Sequence, residues 1–347
     1  MFESQLVIGI DIGSFNTKIV TGQWNGKKII MDKEMVTPTP ENVYSDGYIL
    51  DVKMMAEFIE AMLKDAKVKK GAVVFSTEST EIIMREMLLP WAAEKDLRAM
   101  LPYEVEKYFP VNTKDYTAEY QVIDEPEEDG MKNMRVQVAV MPNMMIEKYW
   151  ALAAELRLKP LALEIQPMSC SKLFSYRKYG QDETIALIDG GHTKMRFTII
   201  NKGKIDFSRV IPRGSKELDE KLSNGFEVPI TQARVLKEKG NLREDFESDD
   251  FEIDKINQLI EEKLDEWFME LQPNIRYYLA LKEGNKIDKV FVYGGLFEIP
   301  GMEVRVQEVF HRPTSVLSTI DLLEDKKRED ATSLGILANV IGSIIQE

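Results

Sequence analysis

Two stretches of the sequence place residue types suited to holding a phosphate at matching spacings. The first is Ile8-Gly9-Ile10-Asp11-Ile12-Gly13-Ser14-Phe15-Asn16-Thr17-Lys18-Ile19-Val20; the second is Ile185-Ala186-Leu187-Ile188-Asp189-Gly190-Gly191-His192-Thr193-Lys194-Met195-Arg196-Phe197. Each reads as an apolar strand, an Asp, a glycine turn, a Thr-Lys pair and a second strand. A phosphate needs backbone N–H groups aimed at it, and glycine lets the chain approach closely or adopt positive φ. Gly13, Ser14, Phe15 and Asn16 offer such donors in the first turn; Gly190, Gly191, His192 and Thr193 do so in the second. Lys18 adds a point charge. Asp11 and Asp189 would repel phosphate directly. Their presence at both turns makes sense if Mg²⁺ lies between, held largely through its own water. Either hairpin alone reads more readily as an ordinary Asp-Gly turn. The pair implies two similar halves that close on one anionic ligand.

A third stretch, Val290-Phe291-Val292-Tyr293-Gly294-Gly295-Leu296-Phe297-Glu298-Ile299-Pro300-Gly301-Met302, reads as strand, glycine turn and helix start. Bare backbone at Gly294 and Gly295 would let a flat base or a ribose lie against it. Glycine is common in such turns, so the signal gains weight only beside the other two.

The elements that must carry these residues are legible in outline. Residues 5–33 read as three strands, with Asn25-Gly26 as a two-residue hairpin signal between the second and third. Asp11 is expected at a strand end, outside a core. Asp51 caps a helix whose apolar residues Met55, Phe58, Ile59, Met62 and Leu63 recur at helical spacing. Ala72 to Ser76 reads as a buried strand. From 81 the rhythm changes. A strand ends at Pro90, and a helix from about Ala93 is disturbed at Pro102 and stopped at Pro110. Thr117 to Ile123 and Met134 to Val140 alternate as strands. A helix spans about Asn143 to Leu156, and Leu161 to Ile165 returns as a strand. Pro167 to Tyr179 reads as a helix ending at Gly180. Residues 216–283 are mostly helical in pattern. The acidic run Glu244 to Asp254 reads as a solvated loop. Residues 331–346 read as a final helix.

Composition narrows the classes. The length suggests two or three packed units, and 44% hydrophobic residues suffice for real cores. Lys and Arg total 45 against 59 Asp and Glu, a formal net charge of -14, which argues against a broad nucleic-acid surface. One small phosphate ligand needs only a local site. The single cysteine, Cys170, allows no intrachain disulfide and reads as a small buried residue. No apolar run approaches the roughly 20 residues of a membrane span, and the N-terminus lacks a signal-peptide pattern. A cytoplasmic protein without a direct membrane span is expected.

Together, and in this order, the three stretches resemble the phosphate-1, phosphate-2 and adenosine motifs of the actin-like ATPase superfamily. Pro167 to Tyr179 and Ala331 to Ile345 take the places of its two connecting helices, and Ser169, Ser171, Gly335 and Ala338 are small enough for close helix contact. Thr37 to Gly71 is too short for an actin-type subdomain. The insertion comes later, as in FtsA and PilM. Met84-Arg85-Glu86-Met87-Leu88-Leu89-Pro90, Tyr103-Glu104-Val105-Glu106-Lys107-Tyr108-Phe109-Pro110 and Tyr120-Gln121-Val122 favour PilM. The resemblance covers essentially the whole chain.

It implies an α/β, actin-like (ribonuclease H-like) two-lobed fold with an inserted α+β subdomain of the FtsA/PilM type. The first actin-like domain would comprise 1–82, 163–183 and 325–347. A peptide-binding subdomain would span 83–162. The second domain would comprise 184–215 and 288–324, with a helical subdomain over 216–287 flanking the nucleotide. The implied cofactors are ATP and Mg²⁺. Asp11, Gly13, Ser14, Asn16 and Lys18 would serve the first phosphate turn; Asp189, Gly190, Gly191, His192 and Thr193 the second. Gly294, Gly295 and Pro300 would mark the adenosine turn, with Gln232, Arg234 and Lys237 on a helix beside the base. Asp11 and Asp189 would face the metal. Glu164 or Gln166 would stand where a hydrolytic water is oriented, or serve structure alone, so at most a weak ATPase is implied.

The implied function is a cytoplasmic scaffold of the type IV pilus inner-membrane assembly platform. It would hold the N-terminal cytoplasmic tail of a PilN-like bitopic membrane protein and so sit at the inner face of the membrane. Other pilus components are further implied partners, nucleic acid is not one, and self-association stays open. Eight insertion methionines (84, 87, 100, 131, 134, 141, 144 and 145) suit core packing, with a few available to a peptide groove. Two alternatives remain. An FtsA-like division protein would carry a linker and amphipathic helix beyond the fold, whereas this sequence stops after the final helix. An actin-superfamily kinase would need a second substrate constellation, and none is visible.

Overall fold

The computed structural model describes residues 5–128, 130–175, 183–243, 245–246, 248–324 and 332–346. In chain order the elements are β1 (Val7–Ile12), β2 (Asn16–Trp24), β3 (Ile29–Pro38), β4 (Tyr44–Ser45), β5 (Tyr48–Ile49), α1 (Val52–Asp65) and β6 (Ala72–Thr77). Then come β7 (Ile83–Pro90), α2 (Glu94–Tyr108), β8 (Tyr116–Asp124), β9 (Glu127–Glu128), β10 (Met131–Pro142), α3 (Asn143–Glu155), β11 (Lys159–Ile165) and α4 (Gln166–Ser175). The rest comprises β12 (Thr184–Gly190), β13 (Met195–Asn201), β14 (Lys204–Ile211), α5 (Ser215–Phe226), α6 (Ile230–Lys237) and α7 (Phe251–Leu281). After these follow β15 (Lys289–Tyr293), a 3-10 turn (Gly295–Glu298), α8 (Met302–Phe310), β16 (Thr314–Val316) and α9 (Leu334–Gly342).

Two five-stranded sheets repeat one plan. The first runs β11-β6-β1-β2-β3 and the second β16-β15-β12-β13-β14. In each, an antiparallel meander of three strands is extended by two parallel strands. β1 and β12 are buried along almost their whole length, which explains runs of apolar residues rather than alternation. A third sheet, β7-β10-β8, stands apart and holds its own core of Met87, Leu97, Leu101, Val136 and Val138 under α2.

α4 and α9 lie between the two large sheets. Cys170, Leu173 and Phe174 of α4 and Leu337, Ala338 and Val340 of α9 share a core with Val74 of the first sheet and Leu187 of the second. The tightest point is Gly342, where a Cβ would stand 1.9 Å from the Ser169 carbonyl oxygen. Gly335, also expected at this contact, meets Leu317 instead.

Several sequence expectations change. The link after β2 is not a two-residue turn, since Trp24 pairs with Ile29 and four residues lie between them. The Asn25 side chain accepts the amides of Lys27 (3.0 Å) and Lys28 (2.8 Å), which stabilises the longer loop. Pro102 does not disturb α2; it sits on an exposed side and the helix runs through. The acidic run ends as structure: Asp250 caps α7 by accepting the Glu252 amide at 2.9 Å, and Glu252 and Asp254 occupy its first turn. Acidic groups there oppose the positive end of the helix dipole. The ends of the two connecting-helix readings (176–180 and 331) lie outside the described residues. α9 is shorter than expected, closing at Gly342.

Gly342→Ala should force α4 and α9 apart and cost about 1–3 kcal/mol of stability. Gly295→Ala, with no neighbour within 4 Å of the added carbon, should stay within about 0.5 kcal/mol, both variants being measured by urea titration.

Candidate functional site

The two glycine turns face each other across a cleft of ≈ 390 Å³, a size typical of small-molecule sites. Its wall includes Gly13, Ser14, Asn16 and Lys18 from the first hairpin and Asp189, Gly191, His192 and Thr193 from the second. The tips touch, with Ser14 Oγ 3.1 Å from Thr193 Oγ1. Phe15 lies beside His192, ring centroids 4.9 Å apart.

Both turns are built alike. Gly13 N donates to Asn16 O at 3.0 Å, and Gly191 N donates to Lys194 O at 2.9 Å. A Cβ at Gly13 or Gly191 would press on those same carbonyls, at 2.7 and 2.9 Å. This corrects the expectation that every turn amide is offered to a ligand. The Gly13 and Gly191 amides close the turns and are not available to a ligand. Each turn is buttressed from behind. Thr39 donates its hydroxyl to Gly13 O (2.8 Å) and its amide to Phe15 O (2.9 Å). At the start of α5, Ser215 N and Lys216 N donate to the carbonyls of Gly191 (3.0 Å) and His192 (2.8 Å).

The two aspartates differ in surroundings. Asp11 is fully buried, not outside a core as expected. It accepts Lys18 Nζ at 2.8 Å and Gln166 Nε2 at 2.9 Å. Burial works to lower the pKa of Lys18, but the charge and hydrogen bond of Asp11, with Asp189 nearby, outweigh it and raise the pKa. Asp189 is half-buried on the cleft wall and accepts Asn339 Nδ2 at 2.7 Å. Desolvation lifts its pKa to about 6, against the hydrogen bond from Asn339 and the charge of Lys18; the charges of Asp11 and Glu78 push the same way as desolvation. A divalent cation between the aspartates would reverse that direction. Gln166 and Asn339 both come from the connecting helices, so each carboxylate is held by an amide from α4 or α9.

The donor set fits a water-rich cation and nothing tighter. No group of three or more His, Cys, Asp or Glu suited to a metal occurs among the described residues. Asp189 on the wall, with Asp11 buried behind it and engaged by Lys18 and Gln166, would suit Mg²⁺ held largely through its own water, since that ion dehydrates reluctantly.

Another part of the cleft wall mixes apolar and charged groups. Leu296, Ile299 and Ile336 line it beside Arg234, Lys237, Glu238 and Glu298. Arg234 and Lys237 of α6 both pair with the buried Asp219 of α5, and Arg234 lies over the Phe15 ring at 4.9 Å. Gly294 has φ +92°, and a Cβ there would stand 2.5 Å from Asp189 Oδ1, so only glycine lets this turn reach the carboxylate. Gly295 lines the cleft.

Some predicted residues serve from behind. Gly190 packs against the 3-10 turn, where a Cβ would lie 2.7 Å from Leu296 Cβ. Pro300 gives its carbonyl to Leu242 N at 2.7 Å and does not line the cleft. Gln232 is exposed and does not line it either. Glu164 is turned to structure. It accepts Ser169 Oγ (2.7 Å) and Lys172 Nζ (2.5 Å), whereas Gln166, two residues on, reaches the cleft. Sequence reasoning missed Asp46, Glu78, Arg196 and Asn339 as cleft residues. Only Arg196 carried a signal: it pairs in register with Asp189 as Lys18 does with Asp11.

With this geometry in place, comparison with known proteins is informative. The family model described as type IV pilus assembly protein PilM matches residues 9–339. A solved PilM-PilN type IV pilus biogenesis complex superposes with TM-score 0.84 at 18% identity, covering 97% of this chain and 97% of that one. The ethanolamine utilization protein EutJ from Carboxydothermus hydrogenoformans gives TM-score 0.60 at 12% identity, over 98% and 88% of the two chains. MreB5 of Spiroplasma citri, bound to AMPPNP, gives 0.55 at 12%, over 98% and 95%. These are likenesses of fold, and they agree with the actin-like architecture expected.

Two measurements probe the site. Asp11→Asn should lower the magnesium-dependent part of nucleotide affinity about tenfold or more. The same change frees Lys18, so affinity in EDTA should rise; unchanged affinities in both buffers would remove Asp11 from the site. His192 is held neutral, its pKa lowered to about 4 chiefly by burial and by the charges of Lys237, Arg234 and Lys216, with Asp219 opposing. Between about 4 and the unfolded 6.5, the unfolded chain binds more protons, so stability gained from neutral His192 grows as pH rises through that window. NMR of the ring, assigned with a His311→Gln variant, should show no titration above pH 5.

Proposed function

Because the chain belongs to the family of type IV pilus assembly protein PilM, we propose that it is an ATP-binding scaffold of the pilus inner-membrane assembly platform. The observation that carries this reading is the family match over 9–339 on a chain whose two glycine turns meet at a cleft of nucleotide size. The relative solved in complex with PilN and the MreB5 bound to AMPPNP supply the two ligand classes the reading assigns here.

In this reading the tip amides of 14–15 and 192–193, with Lys18, receive the polyphosphate. Magnesium, when bound, supplies positive charge between the phosphates and the two aspartates. Asp11 and Asp189 orient its water, themselves held by Gln166 and Asn339. The base lies toward Leu296, Ile299 and Ile336 against Gly295, with Arg234 and Lys237 beside it. Binding across both halves stabilises the closed chain by mass action. Gln166, hydrogen-bonded to Asp11 at the cleft, is better placed than Glu164 to orient a water, so hydrolysis in this reading is at most slow.

The third sheet and its flanking helices carry the protein partner. Trp91, Tyr103, Tyr108, Met131 and Met144 of this region are exposed, a supply of aromatic and methionine surface that suits a short peptide. The partner is the N-terminal cytoplasmic tail of a PilN-like membrane protein, held between the first sheet's half and the insertion. In this reading attachment to the inner face goes through that partner; among the described residues no helix is long and apolar enough to cross a membrane.

Titration with a peptide of a PilN-like N-terminal tail, with and without ATP and magnesium, tests both ligands together. A change of about fivefold or more in peptide affinity is expected, matched by the same factor in nucleotide affinity when peptide is saturating. Equal affinities would remove the coupling, and an absence of peptide binding would remove the scaffold reading.

A further inference from the structure

Two ion pairs cross between the halves, one landing on residue 78 and the other on Asp46, which is itself bonded to Thr80. Arg196 of β13 donates to both carboxylate oxygens of Glu78. The side chains of that pair are 6% and 9% exposed. A further Arg196 nitrogen donates to Ser208 Oγ at 2.6 Å, which fixes the guanidinium. Lys194 of the same hairpin pairs with Asp46 and donates to the Glu78 carbonyl at 3.0 Å. Asp46 in turn accepts the amide (3.1 Å) and hydroxyl (2.5 Å) of Thr80. Gly47 packs this hairpin tip tightly, since a Cβ there would stand 2.8 Å from Ser79 Cβ.

The segment so gripped, 78–80, is the link from β6 of the first sheet to β7 of the inserted sheet. The second half therefore holds the stalk of the insertion directly. Its other ties to the insertion are weaker in kind. Lys282 reaches Glu86 at 3.2 Å and Lys204 reaches the Val122 carbonyl at 3.1 Å, both at the exposed surface.

We propose that Glu78–Arg196 and Asp46–Lys194 form a latch that couples opening of the cleft to the seating of the inserted sheet. A buried, bidentate pair does not loosen gradually, because separation leaves two uncompensated charges in a dry site. It is made or broken as a unit, which gives the discrete two-state element that coupling requires. Lys194 and Arg196 begin one residue after Thr193, at the tip of the second turn. A ligand that repositions that turn thus acts on the stalk through Lys194 and Arg196, one and three residues beyond Thr193. The identity of that ligand rests on the nucleotide reading; the latch itself does not.

Hydrogen exchange on the full chain tests it, using Asp46→Ala and, separately, Glu78→Gln combined with Arg196→Met. Without nucleotide, exchange of β7 and of the turn at 191–194 should rise together in the double variant, by about tenfold, with α8 within about twofold of wild type. Faster exchange confined to the turn, with β7 unchanged, overturns the latch. If α8 also accelerates, the milder Asp46→Ala decides, and wild-type exchange of β7 in that variant overturns it. With each protein separately saturated by ATP and magnesium, the slowing of β7 exchange seen in wild type should shrink about threefold or more in both variants. Equal slowing in all three counts against the latch. Failure of ATP to bind wild type would remove the nucleotide reading alone, leaving the nucleotide-free comparison to judge the latch.

Discussion

Asp11 and Asp189 put two carboxylates at the inner ends of matching strands, Asp189 on the cleft wall and Asp11 buried behind it, and the surrounding architecture answers to that charge. A buried carboxylate must be paired or hydrogen-bonded, or it takes up a proton. Asp11 has both kinds of support, a lysine from its own hairpin and an amide from α4. Asp189 has an amide from α9, and its pKa stays raised, to about 6. Desolvation is the main cause, so a hydrated cation would do most beside Asp189.

The near-symmetry of the halves makes one of their differences informative. Lys18 and Arg196 stand opposite the two aspartates in the same register. Lys18 spends its charge on Asp11, within its own hairpin. Arg196 reaches across to Glu78 instead. Glu78 lies two residues beyond Ser76, the partner of Asp11; Gly295 lies two beyond Tyr293, the partner of Asp189. One fold position therefore holds a bare turn for a ligand in one half and a bridging carboxylate in the other.

The helices between the sheets give this division mechanical sense. α4 and α9 pack against both large sheets, and Gly342 brings them as close as backbone allows. The same helices supply Gln166 and Asn339 to the two aspartates. A change in the angle between the halves and a change in the order of the carboxylates are therefore movements of the same two elements.

Much of the frame was legible in the chain itself. The strand-Asp-glycine-strand pattern fixes where the two turns lie, because apolar runs of that length with a glycine break have few other uses. The change of rhythm at residue 81 marks the inserted sheet, and Cys170 is buried as its neighbours suggest. The order of the motifs pointed to the family, since it is a property of sequence alone. The errors have local causes. The Asn25 side chain outcompeted a tight turn, an exposed Pro102 was absorbed by its helix, and acidic residues read as loop begin α7. What the tertiary structure alone decided is which charges meet. Glu78 finds Arg196 over a separation of 118 residues, and Asn339 finds Asp189 over 150. Glu164 goes to Lys172 rather than the cleft. Periodicity reports which face of a strand is dry, but a charge chooses its partner by distance and desolvation in three dimensions, and neither quantity exists until the sheets have closed on each other.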